Sequence, residues 1–170
     1  MYHPFRDTSI SDAERAKLGE VWLSYYFTTI SDLDDVTPEL LASRTALHEG
    51  IASQQGTLDV GKTPTLLKMS VDDIEAVKDF EALVGSGLRI LRITPGVFAR
   101  NFENALFDTG GELPRARVVV GWCNESFGDA VWAAKIIHER MKAEQPVEKH
   151  RREIVLYCLK GCNHLVGIRV

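Results

Sequence analysis

Arg117-Val-Val-Val-Gly-Trp-Cys-Asn-Glu-Ser-Phe-Gly-Asp-Ala-Val-Trp-Ala-Ala134, followed after a polar stretch by Glu153-Ile-Val-Leu-Tyr-Cys-Leu-Lys-Gly-Cys-Asn-His164, decides the fold. Arg117 to Val120 is a β-branched run of the kind found in a strand buried on both faces. Gly121 to Gly128 reads as a turn. Asp129 to Met141 has helical periodicity, with Val131, Trp132, the Lys135 stem and Ile136 inward. Pro146 marks the returning loop, and Ile154 to Leu159 is a second apolar run. Strand, crossover helix and strand make a right-handed parallel unit. Ligands of open α/β sheets bind outside the carboxyl ends of the strands, so the candidate chemistry lies on two loops. One carries Cys123, Asn124, Glu125, Ser126 and Asp129, and the other carries Cys162, Asn163 and His164.

Upstream, the chain reads as helices. Ser11-Asp-Ala-Glu14 is a capping box, and Leu18, Val21, Trp22, Tyr25 and Tyr26 follow at steps of three and four. That stripe packs in a core or walls a substrate pocket. Thr37-Pro38 opens a helix expected to run to about Gln54, before Gly56. Ser70-Val-Asp-Asp73 opens another over Ile74 to Val84, and Thr94-Pro95 one more, carrying Val97, Phe98, Phe102, Leu106 and Phe107. Between them only Leu88 to Ile93 could be a short strand. The fold class expected is α/β. Residues 1–112 form a helical cap-like region, and residues 113–170 form a C-terminal βαβ segment.

Length and composition narrow the function. A chain of 170 residues can bury the core of one domain, and 45% hydrophobic with 26% charged residues is ordinary globular composition. The net charge of −4, with Lys and Arg scattered, excludes a nucleic-acid footprint. Lys149-His-Arg-Arg152 sits between Glu148 and Glu153 and reads as a solvated loop. With no apolar run of membrane-spanning length and no hydrophobic leader at the N-terminus, the expected location is cytoplasmic, without membrane contact. Three irregularly spaced cysteines suit reduced thiols there.

Other motifs are set aside on chemistry. Gly61-Lys62-Thr63 lacks the correctly spaced earlier Gly and the preceding strand of a phosphate loop. His48 has no partner at metal-binding spacing. Cys158, Cys162 and His164 fall short of a four-ligand zinc set, since Cys158 lies within a strand. No metal or cofactor is expected.

The segments Ala105-Leu-Phe-Asp108, Leu113-Pro-Arg-Ala-Arg-Val-Val-Val-Gly-Trp-Cys123 and Lys160-Gly-Cys-Asn-His-Leu-Val166 resemble the C-terminal half of an α/β-hydrolase with a helical cap before its last two strands. The resemblance makes His164 the general base, at the family's Gly-x-Asn/Gly-His turn. It places the orienting acid three residues after Gly121, where this chain has Asn124, so Glu125 or Asp129 would substitute. The substrate implied is a small ester, epoxide or similar apolar molecule.

The family's Gly-x-Ser-x-Gly nucleophile elbow is absent from the sequence. A partial hydrolase is therefore expected, as a truncated product, split gene or remnant. Gly121-Trp-Cys-Asn-Glu125 also resembles the elbow of cysteine-bearing dienelactone hydrolases, which would make Cys123 a nucleophile with its thiol pKa lowered by the following helix. A small buried thiol at a strand end is the simpler account of that residue. The competing class is a non-catalytic α/β module that binds a small apolar ligand or a partner chain. A two-stranded pair with open edges would be covered by a homodimer or by a missing N-terminal half.

Overall fold

A computed structural model describes residue 4 and residues 7–44, 62–77, 94–107, 116–143 and 153–164. It is a mixed α/β structure. Its elements are α1 (Asp12–Leu23), α2 (Pro38–Ser43), α3 (Thr65–Lys68), α4 (Val71–Val77), α5 (Pro95–Leu106), β1 (Val118–Cys123), α6 (Gly128–Ala143) and β2 (Ile154–Leu159). β1 and β2 pair as a two-stranded sheet. The Val118 amide donates to the Glu153 carbonyl at 2.8 Å, and the Asn124 amide to the Leu159 carbonyl at 3.4 Å. Both strands thus advance together by six residues, the pattern of parallel pairing.

The helix starts follow their sequence signals. Ser11 Oγ accepts from the Glu14 amide at 3.2 Å while a Glu14 carboxylate oxygen accepts from the Ser11 amide at 3.0 Å. Ser70 and Asp73 repeat that reciprocal pair at the start of α4. At α2, Thr37 Oγ1 accepts from the Leu40 amide and Pro38 takes the first helical position.

Four sequence expectations are corrected. α2 stops at Ser43 rather than near Gln54, because Arg44 adopts an extended backbone and turns its side chain inward to backbone carbonyls. β1 continues through Gly121 to Cys123, so the turn begins at Asn124. A Cβ added at Gly121 would sit 3.5 Å from Leu159 Cδ1, an ordinary van der Waals contact. α6 buries Ala134 and Ile137 beside Val131 and Lys135, while Ile136 is exposed. The short helix α3 forms just after Pro64, where the sequence shows no helical periodicity. The expected strand at Leu88 to Ile93, His48, and the end of the helix predicted beyond Val77 lie outside the described residues.

The chain divides into two compact units. In the first (Met1–Met69, Gly121–Lys142 and Leu156–Val170), Ile30, Leu33, Val36, Trp122, Val131 and Ala134 form one buried cluster, joined by Leu156 and Cys158. Trp122 and Cys158 therefore share the face of the sheet that α6 covers. A second cluster joins Trp22, Tyr25 and Phe27, with Phe127 packed against it. Trp22 and Tyr25 are thus core residues. At the surface, Asp34 pairs with Lys142 at 2.5 Å and with His138 at 3.0 Å, and the Lys142 hydrogen bond first of all holds its carboxyl below the usual range. Asp32 also comes within reach of Asp34 and His138. With Lys142 on Asp34, that group reads as an ion-pair staple between the loop before α2 and the end of α6. In the second unit (Ser70–Val120 and Ala143–Val155), Phe102 and Phe107 pack together on α5, and Arg117 pairs with Glu153 at the strand starts.

Among the described residues no helix is long and apolar enough to cross a membrane.

Candidate functional site at the carboxyl ends of the strands

The two strand ends are tied to each other through one side-chain amide and through backbone groups. Asn124 Oδ1 accepts from the Gly161 amide at 2.8 Å, and the Glu125 amide donates to the Cys162 carbonyl at 3.1 Å. The segment after α1 closes the same corner, with the Phe27 amide donating to Glu125 O and the Ile30 amide to Asn124 O, each at 2.9 Å. A buried loop must satisfy its backbone groups in this way or lose free energy for each orphan. Asn124, at the place the resemblance reserves for an acid, serves as a clamp on the opposite turn.

Glu125 is buried, and both carboxylate oxygens are occupied. One accepts from Thr29 Oγ1 at 2.9 Å, and the other pairs with Lys62 Nζ. Lys62 Nζ also lies 5.1 Å from the centre of the Tyr26 ring, a cation–π distance. Arg44, only 3% exposed, donates to the carbonyls of Thr28 and Asn124, and its guanidinium lies over the Phe27 ring. Burial lowers the Arg44 pKa to about 10, with the Glu125 charge acting in the opposite direction. One buried carboxylate therefore stands among two cations, a hydroxyl and two aromatic rings. That arrangement holds charge in place and cements three chain segments.

His164 lies just past β2 and is exposed, while one face of its ring packs on Phe127 with 4.6 Å between centroids. Partial burial of the imidazole lowers its pKa below the ordinary 6.5, so it is mostly neutral at pH 7 and able to accept a proton. The turn that carries it is anchored by Asn163, whose Nδ2 donates to the Ser24 carbonyl at 2.6 Å and to Thr65 Oγ1 at 3.0 Å. Gly161 has φ +67° within this turn, and among the described residues an added Cβ would meet Lys62 Nζ at 3.8 Å. Gly161→Ala should accordingly cost about 1 kcal/mol through backbone strain alone. Its denaturation midpoint would show this, with an unchanged dependence on denaturant.

Cys123, the last residue of β1, is half-buried, and its thiol is pushed up to about 11, first by burial and then by the neighbouring Cys162 and Cys158. This is the reverse of the lowering expected from the α6 N-terminus, and the thiol is protonated at neutral pH. Asp129 is exposed in the first turn of α6.

Of the residues singled out from sequence, Glu125 and the His164-bearing turn are brought to one corner through the Cys162 carbonyl. The Glu125 carboxylate itself faces Thr29 and Lys62 rather than the imidazole. Asn163 was among the candidates of the second loop, whereas the sequence does not place Lys62, Thr29 or Arg44 at this corner. Their partners lie between 16 and 96 positions away, beyond any local pattern. The one available signal was a charged residue at the close of a short apolar helix, Leu40-Leu-Ala-Ser-Arg44.

No family model, curated protein or solved structure matches this chain.

Proposed function

We propose that the chain is an α/β-hydrolase-like unit, a helical cap-like layer leading into a last strand-helix-strand, with His164 as its general base. The reading is carried by one observation: a largely neutral imidazole stands just beyond β2, against Phe127 of the loop that follows β1. That is where an α/β sheet delivers its chemistry. The relatives implied are hydrolases of small esters, epoxides or similar apolar substrates, and the aromatic surface of Phe127 suits such a substrate. These 170 residues contain no Gly-x-Ser-x-Gly elbow, so they hold the base-bearing part of a hydrolase site without its serine. The parts of such a site act as a unit, and turnover by this chain alone is weak.

A non-catalytic module for a small apolar ligand or a partner chain is the second reading. It is favoured by the engagement of Glu125 with Lys62 and Thr29, which leaves that carboxylate no role in orienting His164.

Hydrolysis of p-nitrophenyl acetate by the wild type, His164→Ala and Cys123→Ala distinguishes the two. The base reading expects a slow hydrolysis, about 10²-fold over solution at most, rising with pH through a midpoint below 6.5 as the imidazole deprotonates. It should vanish in His164→Ala and persist in Cys123→Ala. Loss in both variants would instead make Cys123 the nucleophile. Equal rates in all three proteins would sink the hydrolase reading and leave the binding module.

A further inference from the structure

His164 is held by a turn whose backbone has little conformational support of its own, because Gly161 is its left-handed pivot. Two kinds of contact fix that turn. The first kind ties it to the end of β1, through Asn124 Oδ1 on the Gly161 amide and the Glu125 amide on the Cys162 carbonyl. Both act upstream of residue 163. The second kind acts next to the histidine. Asn163 is 3% exposed and reaches the Ser24 carbonyl, past the end of α1, and the Thr65 hydroxyl, at the start of α3. Ser24 and Thr65 are themselves buried and bonded to each other, the Thr65 amide donating to Ser24 O at 3.3 Å. A single carboxamide group thus ties the His-bearing turn to a junction of two helical segments.

We propose that Asn163 is a positioning residue for His164, fixing the turn so that the imidazole stays on the Phe127 ring at the carboxyl ends of the strands. The assignment rests on the general-base reading of His164. A carboxamide suits the task because both of its acceptors are oxygens, and its NH₂ supplies two donors from one atom. Asp at this position would present oxygens to oxygens, and Ala would remove the donor that Ser24 O and the Thr65 hydroxyl share, leaving the Ser24 carbonyl its bond from the Thr65 amide.

The test combines His164 imidazole proton resonances, the pH midpoint of His164-dependent p-nitrophenyl acetate hydrolysis, and its rate, in the full chain. In Asn163→Ala the resonances should lose the displacement caused by the Phe127 ring, and the midpoint should move up toward 6.5 as the ring enters water. The rate should fall about 10-fold or more, since misplacing a catalytic group by 1 Å can cost ~10²-fold. Lys62 and Glu125 are untouched by the substitution, so the midpoint reports solvation of the ring. Should Asn163→Ala fail to fold, Thr65→Val removes one of the two acceptors and should shift all three readouts in the same direction, with Thr65→Ser restoring them. Folded variants with His164 resonances and midpoint as in the wild type would overturn the proposal. Resonances that move in Asn163→Ala, in a protein whose hydrolysis never depended on His164, would uphold the anchoring and remove the base reading.

Discussion

Glu125→Ala should destabilise the protein by about 3 kcal/mol, measured from urea or guanidinium denaturation midpoints. Removing one partner of a buried ion pair costs ~3–5 kcal/mol, because the remaining charge stays out of water without compensation. The lower end applies here, since the Lys62 side chain is 23% exposed and can turn its ammonium toward solvent. Arg44 has no such recourse. It is 3% exposed, its carbonyl acceptors hold it in place, and the negative charge opposing its desolvation belongs to Glu125. Lys62→Ala should therefore cost less than Glu125→Ala, because the carboxylate would keep Thr29 and the field of Arg44. A Glu125→Ala variant within 1 kcal/mol of the wild type would show that this corner is not held by its buried charge.

Trp22→Ala carries the other large effect, an expected loss of ~3–5 kcal/mol, as for large aromatic side chains removed from a core. Trp22 is 5% exposed, edge-on to Phe27 at 5.9 Å and tilted against Phe127 at 4.9 Å. The far side of this stack reaches the candidate site, because His164 packs on Phe127. The cavity should therefore also loosen the Phe127 ring and shift the imidazole resonances of His164. Trp22→Phe, which keeps an aromatic ring, should recover more than half of the lost stability. If denaturation shows a normal loss for Trp22→Ala while His164 is unmoved, the stack is a core feature with no bearing on the histidine.

Local chemistry carried much of the fold. The capping pairs at Ser11 and Ser70, the helix starts at Thr37-Pro38 and Thr94-Pro95, and the two apolar runs that become strands appear where their residue patterns place them, as does α6, although β1 exposes Val119 and α6 buries Ala134 and Ile137 in place of Ile136. Each depends on groups a few positions apart, so each is legible in the chain itself. His164 at the end of β2 was legible for the same reason, because a strand followed by Gly places the next polar residues at a loop.

The corner around that histidine was decided by tertiary structure. Arg44 leaves a helix its neighbours could have continued, because backbone carbonyls at Thr28 and Asn124 offer its guanidinium buried acceptors. Glu125 stood in sequence as a substitute acid, yet Lys62 and Thr29, 63 and 96 positions away, occupy its oxygens. Cys123 stood before a helix N-terminus, yet burial and two neighbouring thiols raise its pKa. A residue pattern encodes hydrogen bonds that close within a turn of chain. Which charges meet, and what desolvation does to them, depends on the segments that folding brings together from far apart.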